Sequence, residues 1–182
     1  VCVKSPSRVN RGPAAAAGNR AAILRAAREV FLHNDPHVPL ARISDAAGVG
    51  PAVLYRHFPD RESLARAMFA EDVERLEAVA ARPGTTLEAL LDTVIEQTVH
   101  SAGLLATLPP ESPGLAATHE RVREIIAAKL ATGDRGGFAA TITAEQLMLA
   151  VSLLAGLLTK TPQQRRNDVA REGWQLLLHG LR

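Results

Sequence analysis

Tyr55, Arg56 and His57 follow one another in the chain: a phenol, a guanidinium and an imidazole. Tyr55 and His57 can hydrogen-bond phosphate oxygens, and Arg56 adds a cation beside them. Their neighbours decide where they point. Leu54 and Phe58 lie four residues apart and face inward on a helix, so the three polar residues between them are pushed outward. Gly48 closes the helix before them, because only a residue tolerant of positive φ stops a helix that abruptly. Ala47 lets two helices approach, and Val49 plugs the corner. The stretch 40–64 therefore reads as two short helices joined by a tight turn, then the start of a third. Such a unit offers a helix to the major groove of DNA.

The second helix of the pair is expected to start near Pro51. Gly50, Pro51, Ala52 and Val53 form its entry and first turn, where base edges are met. None has a polar side chain. They can read thymine methyl groups, or simply permit close approach. Arg20, Arg42 and Arg61 are further cations expected at this DNA face.

These residues resemble the TetR family of transcriptional regulators. The likeness is carried by Ile43, Ala46–Val49, Leu54-Tyr55-Arg56-His57-Phe58, Arg61 and Leu64, and covers roughly residues 19–69. It implies phosphate contacts for Tyr55 and His57 and a cationic phosphate contact for Arg61. It also implies a helical body with a pocket for a small molecule, and a dimer. The chain departs from the pattern in three places. Gly50 stands where relatives have Ser or Thr. Ala52-Val53 replaces a common Gly-Thr, which removes a hydroxyl that touches phosphate. Pro39 replaces a Thr that opens the preceding helix.

Charge placement agrees with a DNA-binding end. Residues 1–69 hold ten Lys or Arg against five Asp or Glu; residues 70–182 hold eleven against fourteen. A basic N-terminal third on an acidic remainder suits a polyanion at one end. Six His and one Cys show no metal-ligand spacing, and there is no Gly-rich phosphate loop or Gly-x-Ser-x-Gly elbow. No enzyme activity, metal or cofactor is expected. No segment has transmembrane length, and the single cysteine fits a reducing, cytoplasmic setting.

Residues 1–18 are expected to be a disordered basic tail, either a solvated extension or an arm that adds phosphate contacts. A first helix is expected over about 19–33, capped by Asn19. A fourth spans Arg61–Ala80 under an Asp60 cap, ~30 Å long at 1.5 Å per residue. Arg82-Pro83-Gly84 marks the start of the body, residues 70–182 being read as one effector-binding and dimerisation domain. Thr85 and Glu88 have capping-box spacing; a helix follows to about Ala102. Prolines 109, 110 and 113 bend the chain, and another helix runs over about 115–131.

The last two helices are apolar on two sides. Thr143–Gln146 caps the first. Leu147, Val151, Leu154 and Leu158 make one face; Leu149, Leu153, Gly156 and Leu157 make another. In the final helix, opened by Thr161-Pro162, Val169, Gly173, Leu176 and Gly180 oppose Ala170, Trp174, Leu178 and Leu181. A surface helix needs only one apolar face. The second faces are expected at a dimer interface, with Leu149, Leu153, Gly156, Leu157, Trp174, Leu178 and Leu181 as its residues; in a two-fold dimer they build a four-helix bundle. Thr98, His119 and Trp174 interrupt apolar faces and are the candidate effector contacts, each also readable as ordinary packing.

The reading is an all-α protein: an N-terminal helix-turn-helix head and a C-terminal helical body. Its expected function is a dimeric repressor released from a palindromic double-stranded operator by a small hydrophobic molecule. Two alternatives stand: a DNA-binding regulator with no small-molecule effector, and a ligand-binding protein that has lost DNA binding.

Overall fold

A computed structural model describes residues 13–33, 37–109, 112–133, 135 and 137–181. Among these, eight α-helices follow one another: α1 Pro13–His33, α2 Leu40–Ala46, α3 Pro51–His57, α4 Arg61–Ala80, α5 Leu87–Leu105, α6 Pro113–Ala131, α7 Ala144–Lys160 and α8 Arg166–Leu181. A short 3-10 turn, Gln163–Arg165, precedes α8. The described residues contain helices and no strand, the all-α class expected.

Several boundaries follow from local chemistry. The α2–α3 turn is a Schellman stop. Val49 N–H donates to the Ser44 carbonyl at 3.0 Å and Gly48 N–H to that of Asp45 at 3.1 Å. Gly48 takes φ +65°, which explains the glycine there. Asp60 accepts from Ser63 N–H at 2.7 Å, and Ser63 Oγ accepts from Asp60 N–H at 3.3 Å, closing a capping box on α4. Thr143 and Gln146 make the same reciprocal pair on α7.

Three expectations about boundaries are corrected. Pro13–Gly18 belong to α1 rather than to a tail. Pro13 is tolerated at a first helical position, and the Ala run has the highest helix propensity; residues 1–12 of the expected tail lie outside the described residues. The cap of α5 is Thr86, whose hydroxyl accepts from Ala89 N–H at 3.1 Å, whereas Thr85 donates its hydroxyl to the Val79 carbonyl at 2.8 Å. Finally, α8 begins at Arg166, after the 3-10 turn that Pro162 introduces.

Two apolar clusters hold the molecule. The first gathers Ile23, Phe31, Ile43, Leu54, Phe58 and Leu64 around α1–α4, and takes in Leu104 from α5. Leu108 and Leu115 pack against it. The second fills the space among α5, α6, α7 and α8 with residues such as Leu91, Ile126, Leu147, Leu154 and Trp174. Polar clamps join the two regions. The Arg28 guanidinium in α1 donates to Asp72 Oδ1 at 2.8 Å, to Glu71 Oε2 at 3.0 Å and to the Met68 carbonyl at 3.0 Å, all in α4. Gln97 in α5 donates to the Asp72 carbonyl at 2.8 Å.

Candidate nucleic-acid interface

The helix-turn-helix exposes the residues read as its DNA face. Leu54 and Phe58 are buried, which turns Tyr55 and Arg56 to solvent; Tyr55 is 48 % exposed. His57 is half-buried, its ring centroid 6.2 Å from that of Phe58. Gly50, Pro51 and Ala52 are exposed, and Val53 is half-buried. Gly50 is the N-cap of α3 and offers no side-chain acceptor; Pro51 is its first helical residue. The first turn therefore presents methyl and methylene surface. Arg42 is exposed on α2. Arg20 is exposed on α1, with its guanidinium carbon 4.9 Å from the centre of the Phe58 ring, a cation–π distance. That contact ties the cation to the C-terminal end of α3.

Arg61 does something other than expected. Its Nη2 donates to the Val38 carbonyl at 2.6 Å, and its guanidinium carbon lies 5.3 Å from the centre of the Phe31 ring. Burial lowers its pKa. The side chain links α4 to the α1–α2 connection and to α1, so it is turned into the head rather than held out for phosphate. The pairing spans 23 residues of sequence, and no local pattern announces it. Arg56 is the exposed cation of α3, with no ion pair among the described residues.

Comparison with known proteins decides what this unit is. The family model of bacterial regulatory proteins, tetR family, matches residues 23–68, which span the second half of α1, the whole helix-turn-helix and the start of α4. The chain is also similar to a TetR transcriptional regulator from Streptomyces coelicolor, with 27% identity, 90% of this chain and 98% of that one covered, and a TM-score of 0.60. Residues 23–68 thus form the N-terminal domain of bacterial regulatory proteins of the tetR family. A TetR regulatory protein from Mycobacterium vanbaalenii is 26% identical, over 93% of this chain and 98% of that one, with a TM-score of 0.58. The TetR-family protein CprB from S. coelicolor is 25% identical, over 91% and 89%, with a TM-score of 0.57. No match was found among curated protein sequences.

The three candidate effector residues of the body do not converge. Thr98 is half-buried on α5 and donates its hydroxyl to the Val94 carbonyl at 2.8 Å, one turn back along its own helix. His119 lies exposed on α6, crowded enough that partial burial lowers its imidazole pKa. Trp174 is only 6 % exposed and belongs to the body core. Its edge reaches a groove of about 410 Å³ between α5 and α8, which Ile95, Val99, Ala170 and Leu178 also line. Neither Thr98 nor His119 borders that groove.

The two-faced helices resolve into an inner and an outer side. In α7, Leu147, Val151, Leu154 and Leu158 are buried. Leu149, Leu153 and Leu157 are 60 %, 58 % and 49 % exposed, and Gly156 is open beside them. In α8 the assignment is corrected. Trp174 is core, and Leu178 and Leu181 pack against the same core. The outward residue is Leu176, 75 % exposed. A periodicity with two apolar faces does not say which face its own core will take.

Two residues outside the sequence reading matter to the architecture. Arg28 clamps α4, as described above. Arg166, the first residue of α8, is 6 % exposed. Its Nε donates to the Thr161 carbonyl at 3.2 Å, while Nη1 is buried with no hydrogen-bond partner among the described residues. Burial lowers its pKa.

Proposed function

We propose that the protein is a homodimeric, ligand-responsive repressor. Each head places α3 in the major groove of one half of a palindromic operator. The observation that carries the reading is the outward pair Tyr55–Arg56 on α3, backed by the buried pair Leu54–Phe58. Tyr55 and His57 serve as phosphate hydrogen-bond donors and Arg56 as the phosphate cation. The apolar first turn reads thymine, whose C5-methyl is the apolar group of the major groove.

Dimerisation is supported by the outer leucines of α7 together with Leu176 of α8. Contiguous exposed apolar surface of this kind marks an interaction site, and pairing two such faces about a two-fold axis builds a four-helix bundle. Two heads so related demand a palindrome, with half-site centres ~34–36 Å apart on one face of the duplex. For release, a ligand must bind more tightly to the body when the heads are wrongly spaced, since equal affinity for both states shifts nothing.

The test is a binding selection on random duplexes, repeated with thymine replaced by uracil. A palindromic consensus that loses affinity at defined positions without the methyl groups is the expected result. Unselected sequences, or a consensus indifferent to the methyl groups at every position, would count against the reading.

A further inference from the structure

The groove between α5 and α8 lies on the flank of α8 away from Leu176. Its floor is apolar: Ile95 and Val99 from α5, and Ala170, Trp174 and Leu178 from α8. Its α5 rim carries Asp92 and Glu96, one helical turn apart. Both are exposed, and neither has an ion-pair partner among the described residues. His100 continues that rim. The opposite rim carries Asn167, Gln175 and Arg171, and Arg171 is held by Asp168 at 2.8 Å. A smaller recess of about 130 Å³ adjoins the first, sharing Asp92, Trp174 and Leu178 and adding Glu88, Leu91 and Phe138. The carboxylates of Asp92 and Glu96 thus stand over an apolar, aromatic floor.

We infer that this groove binds a small amphiphilic cation, an apolar body carrying one ammonium group. The apolar part lies along Ile95, Val99 and Trp174, and the ammonium sits at the carboxylates of Asp92 and Glu96. The volume is within the range of small-molecule sites. Charge complementarity selects the class: an anion would meet two unpaired carboxylates, and like charge is costly at a partly desolvated site.

Its regulatory consequence rests on the ligand-responsive reading above; the binding itself does not. Asn167, at one end of the groove, is the neighbour of Arg166. A Cβ on Gly103 of α5 would stand 3.3 Å from Arg166 Nη1 and 2.7 Å from the Phe31 carbonyl of α1. A ligand that spreads α5 from α8 therefore acts where the body meets the head.

Three probes share one hydrophobe and differ in charge: 4-phenylbutylamine, 4-phenylbutanol and 4-phenylbutanoate. Trp174 is the only tryptophan, so its fluorescence reports occupancy of the groove directly, with calorimetry as a second readout. The amine is expected to bind the full-length protein at least tenfold more tightly than the alcohol or the acid. The double variant Asp92→Asn/Glu96→Gln should lose that preference while binding the alcohol unchanged. Gln175→Lys should weaken the amine and favour the acid. Equal binding of the three probes, tighter binding of the acid, no binding of any at millimolar concentration, or a preference that survives the double variant would each overturn the inference. These titrations use no DNA. Retention of operator DNA by the same variants is measured separately, so failure of the repressor reading would be seen apart from failure of the groove.

Discussion

Gly103 in α5 lies against the main chain of Phe31 in α1, so closely that a Cβ on Gly103 would come within 2.7 Å of the Phe31 carbonyl oxygen. The obstructing atom is backbone and cannot swing aside. Body and head are therefore packed through a glycine contact rather than strung on α4 alone, and Leu104, next in sequence, enters the head's core.

Gly103→Ala tests this contact. Ala favours a helix over Gly by about 1 kcal/mol, but overpacking against a fixed atom costs about 1–3 kcal/mol. A net loss of stability is expected, read as a lower urea midpoint. Gly18→Ala, also in a helix but with nothing within 4 Å of the new Cβ, should raise the midpoint instead. A gain at both positions would show that α1 and α5 do not meet this closely.

Arg61 and Arg56 should separate stability from DNA contact. Arg61→Ala leaves the Val38 carbonyl without its 2.6 Å donor. A partly buried acceptor left unpaired costs about 1–3 kcal/mol, so thermal stability should fall. Arg56→Ala should leave the melting curve unchanged and flatten the log–log salt dependence of DNA binding by roughly one unit, the share of one neutralised phosphate. The reverse pattern would restore Arg61 as the phosphate ligand.

Leu153→Glu addresses assembly. The residue is 58 % exposed in the single chain, so a carboxylate there is solvated in a monomer. In a dimer interface it would be buried without a partner, at a cost of several kcal/mol. Sedimentation should show a folded monomer with wild-type helical content. A variant that remains dimeric would place the interface elsewhere.

Asp60 gives α4 a pH-sensitive start. Hydrogen bonding from the backbone N–H of Ser63, then from its side chain, holds the carboxyl below its ordinary value of 3.8. A depressed carboxyl pKa contributes stability that is fully present above the unfolded value and is lost as pH falls through the folded one. Asp60→Asn should therefore be less stable than wild type near neutrality. The two should converge below about pH 3.8, where protonation removes the advantage of the charge. A difference independent of pH would contradict the cap's ionic character.

Local chemistry was legible in the sequence. Gly48 in its left-handed turn, the Asp60 and Thr143 caps and the span of α4 all rest on residues within a few positions of one another. The two apolar faces of α7 followed from period, though not which of them turns inward. What was not legible depended on distant partners. The backbone oxygen that Arg61 meets belongs to Val38, and the side chain of Arg28 finds Asp72 across 44 residues. Arg166 is buried where α8 begins beside Gly103 of α5. Trp174 sat on one of two plausible faces of α8, and the choice was made by the body core. Thr98 and His119 looked like interruptions of apolar stripes, yet one is satisfied by its own helix and the other lies on the surface.

The central claim is that two copies of this head read one palindromic duplex through phosphate and methyl contacts. Equilibrium binding of the intact protein to the selected duplex, with stoichiometry, across a salt series tests it most directly. The account predicts an even number of protomers per duplex and a log–log slope steeper by about −0.9 for each phosphate neutralised. A flat salt response, or saturation at one protomer per palindrome, would contradict it.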